Sequence, residues 1–390
     1  MKKLSVILGL LLVMGISGYA MAADDFAPWV GIRGSYQATF EQRLFNDIVN
    51  FDGTTTKVDS ESQFLVPRAR IGVDGRLLED LYFCAEFDGR YTSSGRGTLL
   101  RYAYVRWDFL KNDSMLNQLE MGAITTTFAR GLSGTEYAFI NYDICTVLDS
   151  YQYGVQYRGS FANKLIDVYL SVNNGTGLTS LNVGSGLQYV GRIEITPFGG
   201  DYKDLREGST GKTVKDGGSF LTISAAAALD NKARTDDFGY TAEYYKSQHL
   251  LADITFKVGG ISFFAQGVYN AYDALEDGTY WGGIDRNIEK SYGGFAQLGY
   301  NLGAFGLIEL EPMVKFEYWN DVANEGFGPQ DTIKQDFAVG INWYLKEHDL
   351  KLNAEFRHIL KDEKVYAVKA PCDNYIGVRM THKFGAKVPL

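Results

Sequence analysis

The chain has 390 residues, 45% of them hydrophobic, and a formal net charge of −9. That acidic balance argues against a nucleic-acid partner. The three cysteines, Cys84, Cys145 and Cys372, are too scattered for a disulfide framework or a metal-ligand spacing.

The opening MKKLSVILGLLLVMGISGYAMA reads as a signal peptide over residues 1–22. Lys2 and Lys3 make a basic start, Leu4 to Ile16 an apolar run, and Ala20-Met21-Ala22 a small-x-small cleavage site. Without Lys2 and Lys3 the formal charge falls from −9 to −9 − 2 = −11. No later stretch offers the roughly 18 consecutive apolar residues of a spanning helix. A single Cys145–Cys372 bridge between loops stays open in an oxidising compartment.

After residue 23 the dominant period is two, which places alternate side chains on opposite faces of strands. Trp29 to Arg43 sets Val30, Ile32, Tyr36, Ala38 and Phe40 against Arg33, Ser35, Gln37, Thr39 and Glu41. FLVPRARIGVDGRL sets Leu65, Ala69, Ile71 and Val73 against Arg68, Arg70, Asp74 and Arg76. LYFCAEFDGRY and LLRYAYVRWDF continue the pattern, the latter with Ala103, Val105, Trp107 and Phe109 as its apolar set. NQLEMGA, YQYGVQYRGS, LIDVYLSVNN, LQYVGRIEIT, FLTISAAAALD, QHLLADITFKV and ISFFAQGVYN follow. SYGGFAQLGYN, LIELEPMVKFEYW, KQDFAVGINWYL, LKLNAEFRHIL and NYIGVRMTHKF complete the chain.

These are about sixteen strands of about ten residues, the length of a tilted strand crossing a bilayer. Long and short connections alternate, with two exceptions. The turn near Ser93 reads as short where a long one is expected, and Pro197 to Gly218 is long where a short one is expected.

Alternation alone does not separate a soluble sandwich from a membrane barrel. Charges recur in mid-strand on the polar face, which a packed sandwich core would penalise. Aromatics near the strand ends (Trp29, Tyr91, Trp107, Tyr151, Tyr269, Tyr318, Trp319 and Tyr375) suit interfacial girdles. A closed sheet with an even strand count also satisfies every backbone group in lipid. The expected fold is therefore all-β, one transmembrane antiparallel barrel domain over residues 23–390.

FLVPRARIGVDGRLLEDLYFCAEFDG and FAVGINWYLKEHDLKLNAEFRH resemble hairpins of the phosphate-selective porin O and P family. A last strand ending at Phe384 resembles the closing strand read by the outer-membrane assembly machinery. The resemblance implies a homotrimeric, sixteen-stranded channel in the outer membrane of a Gram-negative bacterium, in contact with outer-membrane lipid. It also implies a loop folded inward as a constriction, matched here by Thr125 to Ser150. Gly385 to Leu390 depart from the pattern by running past the terminal Phe.

No GxSxG, P-loop, HExxH or CxxC motif occurs, so no catalytic residue, metal ligand or cofactor is expected. Isolated strand histidines read as girdle or surface residues, and the loop acids Asp236, Asp237, Asp321 and Asp331 as solvated. The candidate site is a lined pore. Arg33, Arg68, Arg70 and Arg106, with Arg76, are expected to form one basic wall, and Glu309, Glu311 and Glu317 to face it. Arg192, Glu194 and Asp253 also point inward by the same register. Between Thr125 and Ser150 the loop carries Arg130 against Glu136, Asp143 and Asp149, a charge of 1 − 3 = −2. Field at a narrow point counts most, so the residues favour a weakly selective path for small hydrophilic solutes and ions. The resemblance implies an anion path. Two rivals stay open: an outer-membrane hydrolase, needing a Ser and a His brought together across strands, and an adhesive or structural surface protein.

Overall fold

The structure is a computed structural model. It describes residues 26–45, 48–49, 55–56, 59–89, 100–129, 151–175, 186–198, 219–235, 242–273, 288–305, 308–323, 332–346, 349–362 and 372–389. The signal-peptide segment 1–22 lies outside them. Among the described residues no helix is long and apolar enough to cross a membrane.

The chain runs β1 (Trp29–Phe45), β2 (Ile48–Val49), β3 (Thr55–Thr56), β4 (Glu61–Leu78), β5 (Leu81–Asp88) and β6 (Leu100–Lys111). It continues with β7 (Leu116–Thr125), β8 (Tyr151–Phe161), β9 (Ile166–Asn173), β10 (Gln188–Ile195), β11 (Phe220–Thr235) and β12 (Ala242–Val258). The rest is β13 (Ile261–Asp273), β14 (Ile288–Tyr300), a 3-10 turn at Leu302–Phe305, β15 (Leu310–Ala323), β16 (Thr332–Lys346), β17 (Leu350–Asp362) and β18 (Cys372–Pro389). β2 and β3 form a two-stranded ladder of their own, and the other sixteen close an antiparallel barrel in which each strand pairs with its neighbours in sequence.

Closure is made by β1, which pairs with β4 on one side and β18 on the other. The β1–β18 ladder runs from Trp29↔Pro389 up to Arg43↔Tyr375 and beyond. Residues 385–389 are therefore part of the closing strand rather than a tail beyond Phe384. Gly34 sits at this seam because a side chain there would strike the Phe384 ring and the Arg70 carbonyl. At the opposite side of the ring Gly259 and Gly260, with φ of 51° and 90°, make the two-residue hairpin between β12 and β13. Such a turn needs positive φ at both positions.

Short turns gather at one end with residues 29 and 389, and long connections at the other. The exception expected near Ser93 disappears, because β5 stops at Asp88 and β6 starts only at Leu100. The exception between β10 and β11 stands: the strands end at Ile195 and resume at Phe220.

The two faces differ as the period predicts. On β1, Gln37 and Thr39 are 1% exposed on the inside while Ile32 is 54% exposed on the outside. The inner face thus carries polar and charged side chains packed side by side, and the outer surface is an apolar band suited to lipid.

Four sequence assignments are corrected. Leu65 was expected outside, but a bulge opposite Ala38 makes it pair with Thr39 on the inner face, while Phe64 pairs with Phe40 outside. An extra residue flips the side-chain phase, which parity counting does not see. Trp29, Trp319 and Tyr375 are not girdle aromatics. Trp29 shares the inner face with Arg76, Tyr375 is buried opposite Arg357, and Trp319 packs inside the lumen.

Candidate functional site

Arg33, Arg70, Arg76 and Arg106 come together on the inner face, their cations interleaved with carboxylates. Arg33 Nε lies 3.3 Å from Glu86 Oε2, and Arg70 Nε donates to Asp88 Oδ2 at 3.0 Å. Arg76 Nη2 bonds Asp108 Oδ2 at 2.7 Å. Arg106 sits 3.2 Å from Asp108 and 3.9 Å from Glu120. Arg68 faces inward opposite Gln37. Period two brings these groups to one face of β1, β4, β5, β6 and β7. Arg70–Asp88 and Arg106–Glu120 join adjacent strands, whereas Arg33 reaches Glu86 across β4, where Gly72 stands between them, and Arg76 reaches Asp108 across β5.

Arg101 completes the wall and was missed. By parity it faces lipid, but a bulge against Glu86 and Phe87 re-aims it. Its Nη1 lies 2.6 Å from Glu86 Oε1, so Glu86 is held between two arginines. The guanidinium of Arg101 also lies 4.7 Å from the Tyr102 ring centre, and that of Arg106 4.4 Å from the Tyr82 ring centre. Arg33 Nη2 further donates to the sulfur of Cys84 at 2.9 Å, where the thiol is buried and free. Stacked and forked arginines of this kind keep one orientation, so the wall is rigid as well as charged. Side-chain exposure is 35% for Arg33 and 20% for Arg106, against 5% for Arg70.

The expected acidic partners do not face this wall as free charge. Glu311 is fully buried, accepting from Ser262 at 2.6 Å, from Asn342 at 3.2 Å and from the Tyr344 hydroxyl. Glu317 is joined to Lys315 at 2.6 Å and to Arg357 at 3.2 Å, and Arg357 also contacts Asp336. Glu309 lies in the turn before β15, where its carbonyl accepts from the Tyr344 backbone N–H. For Glu311 and Glu317 short local distances outcompete attraction across the lumen.

The root of the β7–β8 connection bends inward. Phe128 is 1% exposed and packs with Ala129 against Val190, Ala226, Ala228, Leu251, Val268 and Phe295, with Phe264 and Trp319 at the margin. All of these wall residues point into the barrel. An apolar patch facing a lumen of polar side chains would be costly if wet; here it is covered by Phe128 and Ala129. Beside it, Arg192 Nη1 donates to the Phe128 carbonyl at 3.0 Å. Arg192 Nε bonds Glu194 Oε1 at 2.6 Å, and Nη2 bonds Ser224 Oγ and Asp253 Oδ2, both at 2.6 Å. Thr127 Oγ1 donates to Gln156 Oε1 at 2.9 Å. Arg130, Glu136, Asp143 and Asp149 lie outside the described residues, as do His348 and Cys145.

His249 corrects the surface reading of the histidines. It is 2% exposed on the inner face, with Nε2 2.8 Å from Ser247 Oγ and Nδ1 2.9 Å from Asn270 Oδ1. The structure thus does bring a Ser and a His together, on one strand two residues apart. The chain of contacts goes on from Asn270 Nδ2 to Ser291 Oγ at 2.9 Å. Ser247 is 3% exposed, and the Phe128 ring stands edge-on to His249 at 6.3 Å. A nucleophile must be reachable by its carbonyl, and this hydroxyl is packed away.

The sequence profile of the family described as phosphate-selective porin O and P matches residues 39–381. No curated protein sequence matches the chain. Among solved structures, the trimer form of OmpT, an outer membrane protein of Vibrio cholerae, is similar with a TM-score of 0.58 and 13% identity, covering 92% of this chain and 100% of that one. The outer membrane channel DcaP of Acinetobacter baumannii is similar with a TM-score of 0.52 and 15% identity, over 92% and 98%. The anion-selective porin from Comamonas acidovorans gives 0.56 and 12%, over 92% and 100%. At such identities these likenesses are ones of fold.

Proposed function

The chain belongs to the phosphate-selective porin O and P family, and from that premise we propose a weakly selective diffusion pore for small hydrophilic solutes and ions. Family and barrel place it in the bacterial outer membrane. Cleavage of residues 1–22, homotrimer assembly and recognition of the last strand by the assembly machinery complete this reading. A trimeric form of the similar OmpT supports the oligomer.

The observation that carries the weak selectivity is the pairing along the wall. Arg33, Arg70, Arg76, Arg101 and Arg106 each have a carboxylate within 4 Å. A paired guanidinium projects a short-range dipole rather than a net field, so a passing anion meets little excess positive potential. A path built to strip water from phosphate needs cations with donors left to give.

Planar-bilayer recording is the test. Stepwise conductance with a reversal potential near zero across a salt gradient is expected. Strong anion preference, with conductance blocked by low phosphate, would show that an anion path is the better description. A silent bilayer, accompanied by esterase activity or by cell binding, would favour a hydrolase or an adhesin instead.

A further inference from the structure

We infer that Arg192 and Phe128 are positioning residues that set the width of the pore. This rests on the channel reading above. The seat for Phe128 is built from three strands' worth of inward-facing small or apolar residues, Val190 on β10, Ala226 and Ala228 on β11, and Leu251 on β12. Alanine at two neighbouring inward positions of one strand leaves a hollow, and the phenyl ring fills it. At the edge of that hollow the guanidinium of Arg192 has Glu194, Asp253 and Ser224 on its other nitrogens. Its Nη1 is thereby aimed at one place, the Phe128 carbonyl.

The two contacts act on the same short segment from different sides. The ring holds its side chain and the guanidinium holds its backbone, so Phe128 and Ala129 are fixed against the inner wall instead of standing free in the lumen. A constriction needs a fixed edge to give a fixed conductance, and this pair supplies it where the chain leaves β7.

The experiment uses the full barrel in planar bilayers, with liposome swelling in sugars of increasing size as the second readout. Phe128→Ala empties the seat, and Ala226→Phe fills it from the wall while leaving the connection untouched. Both are expected to lower mean single-channel conductance by on the order of 1.5-fold, with added current noise, and to exclude the larger sugars, because the released segment stands in the lumen. Phe128→Leu, which still fills an apolar hollow, should restore wild-type conductance. Heat-dependent gel mobility identifies folded barrels; should Phe128→Ala not fold, Ala226→Phe decides alone. Wild-type conductance and sugar cutoff in folded Phe128→Ala or Ala226→Phe would overturn the inference while leaving the channel reading intact. A silent wild type would sink the channel reading itself.

Discussion

Arg192 on β10 donates a buried 3.0 Å hydrogen bond to the carbonyl of Phe128, a residue that has already left β7 for the connection to β8. Arginine suits the task because its planar fork serves several acceptors at once. Lysine, with a single tetrahedral centre, could not reach Glu194, Ser224, Asp253 and Phe128 in that arrangement.

Removing the arginine leaves Glu194 and Asp253 buried beside each other without their common cation. Breaking a buried pair in this way costs about 3–5 kcal/mol. Arg192→Met is therefore expected to unfold at lower denaturant in detergent micelles, whereas Arg192→Met combined with Glu194→Gln and Asp253→Asn should recover most of the loss. Equal midpoints for the single variant and wild type would contradict the assignment of this cluster as a buried ionic unit.

Glu86 is shared by Arg33 and Arg101. Glu86→Gln keeps the shape of the side chain and removes the charge, releasing net positive potential on the exposed part of the wall. Chloride over potassium permeability should rise by about threefold at low salt, and the gain should fade as salt screens the field. Reversal potentials measured at two ionic strengths check both halves. No change would mean that solutes travel elsewhere in the lumen.

Leu65 and Phe64 exchange faces relative to a simple count, because of the bulge on β4. In a background with Cys84, Cys145 and Cys372 all replaced by Ala, Leu65→Cys should react with a charged, water-soluble thiol reagent added to the bilayer and lower the current. Phe64→Cys should leave the current unchanged. The reverse result would remove the bulge.

Residues 385–389 pair with Trp29 to Arg33, and Lys387 Nζ stands 4.1 Å from the Trp29 ring centre. Ending the chain at Phe384 strips one side of β1 of its partner near the turn end. The shortened protein is expected to lose heat-resistant gel mobility at a lower temperature than wild type. An unchanged or higher transition would mean that the terminal Phe, and not the pairing beyond it, completes the barrel.

Much of this was legible in the residues. Alternation over Trp29 to Arg43 and its fifteen counterparts determined strands, an apolar outside and a charged inside, because side-chain direction in a strand is local and repeats every second residue. The inward direction of Arg33, Arg70, Arg106, Arg192, Glu194 and Asp253 followed from that rule alone. Where an extra residue interrupts the ladder the rule fails, and Leu65 and Arg101 change sides. What only the tertiary structure decided is which charges neutralise one another and what covers Phe128. Glu86 meets Arg33 from β1 and Arg101 from β6, and Arg192 meets Asp253 from β12 and Phe128 from beyond β7. Those meetings depend on strand register and on closure of the ring, which are set by all the ladders together and leave no mark on any one stretch of sequence.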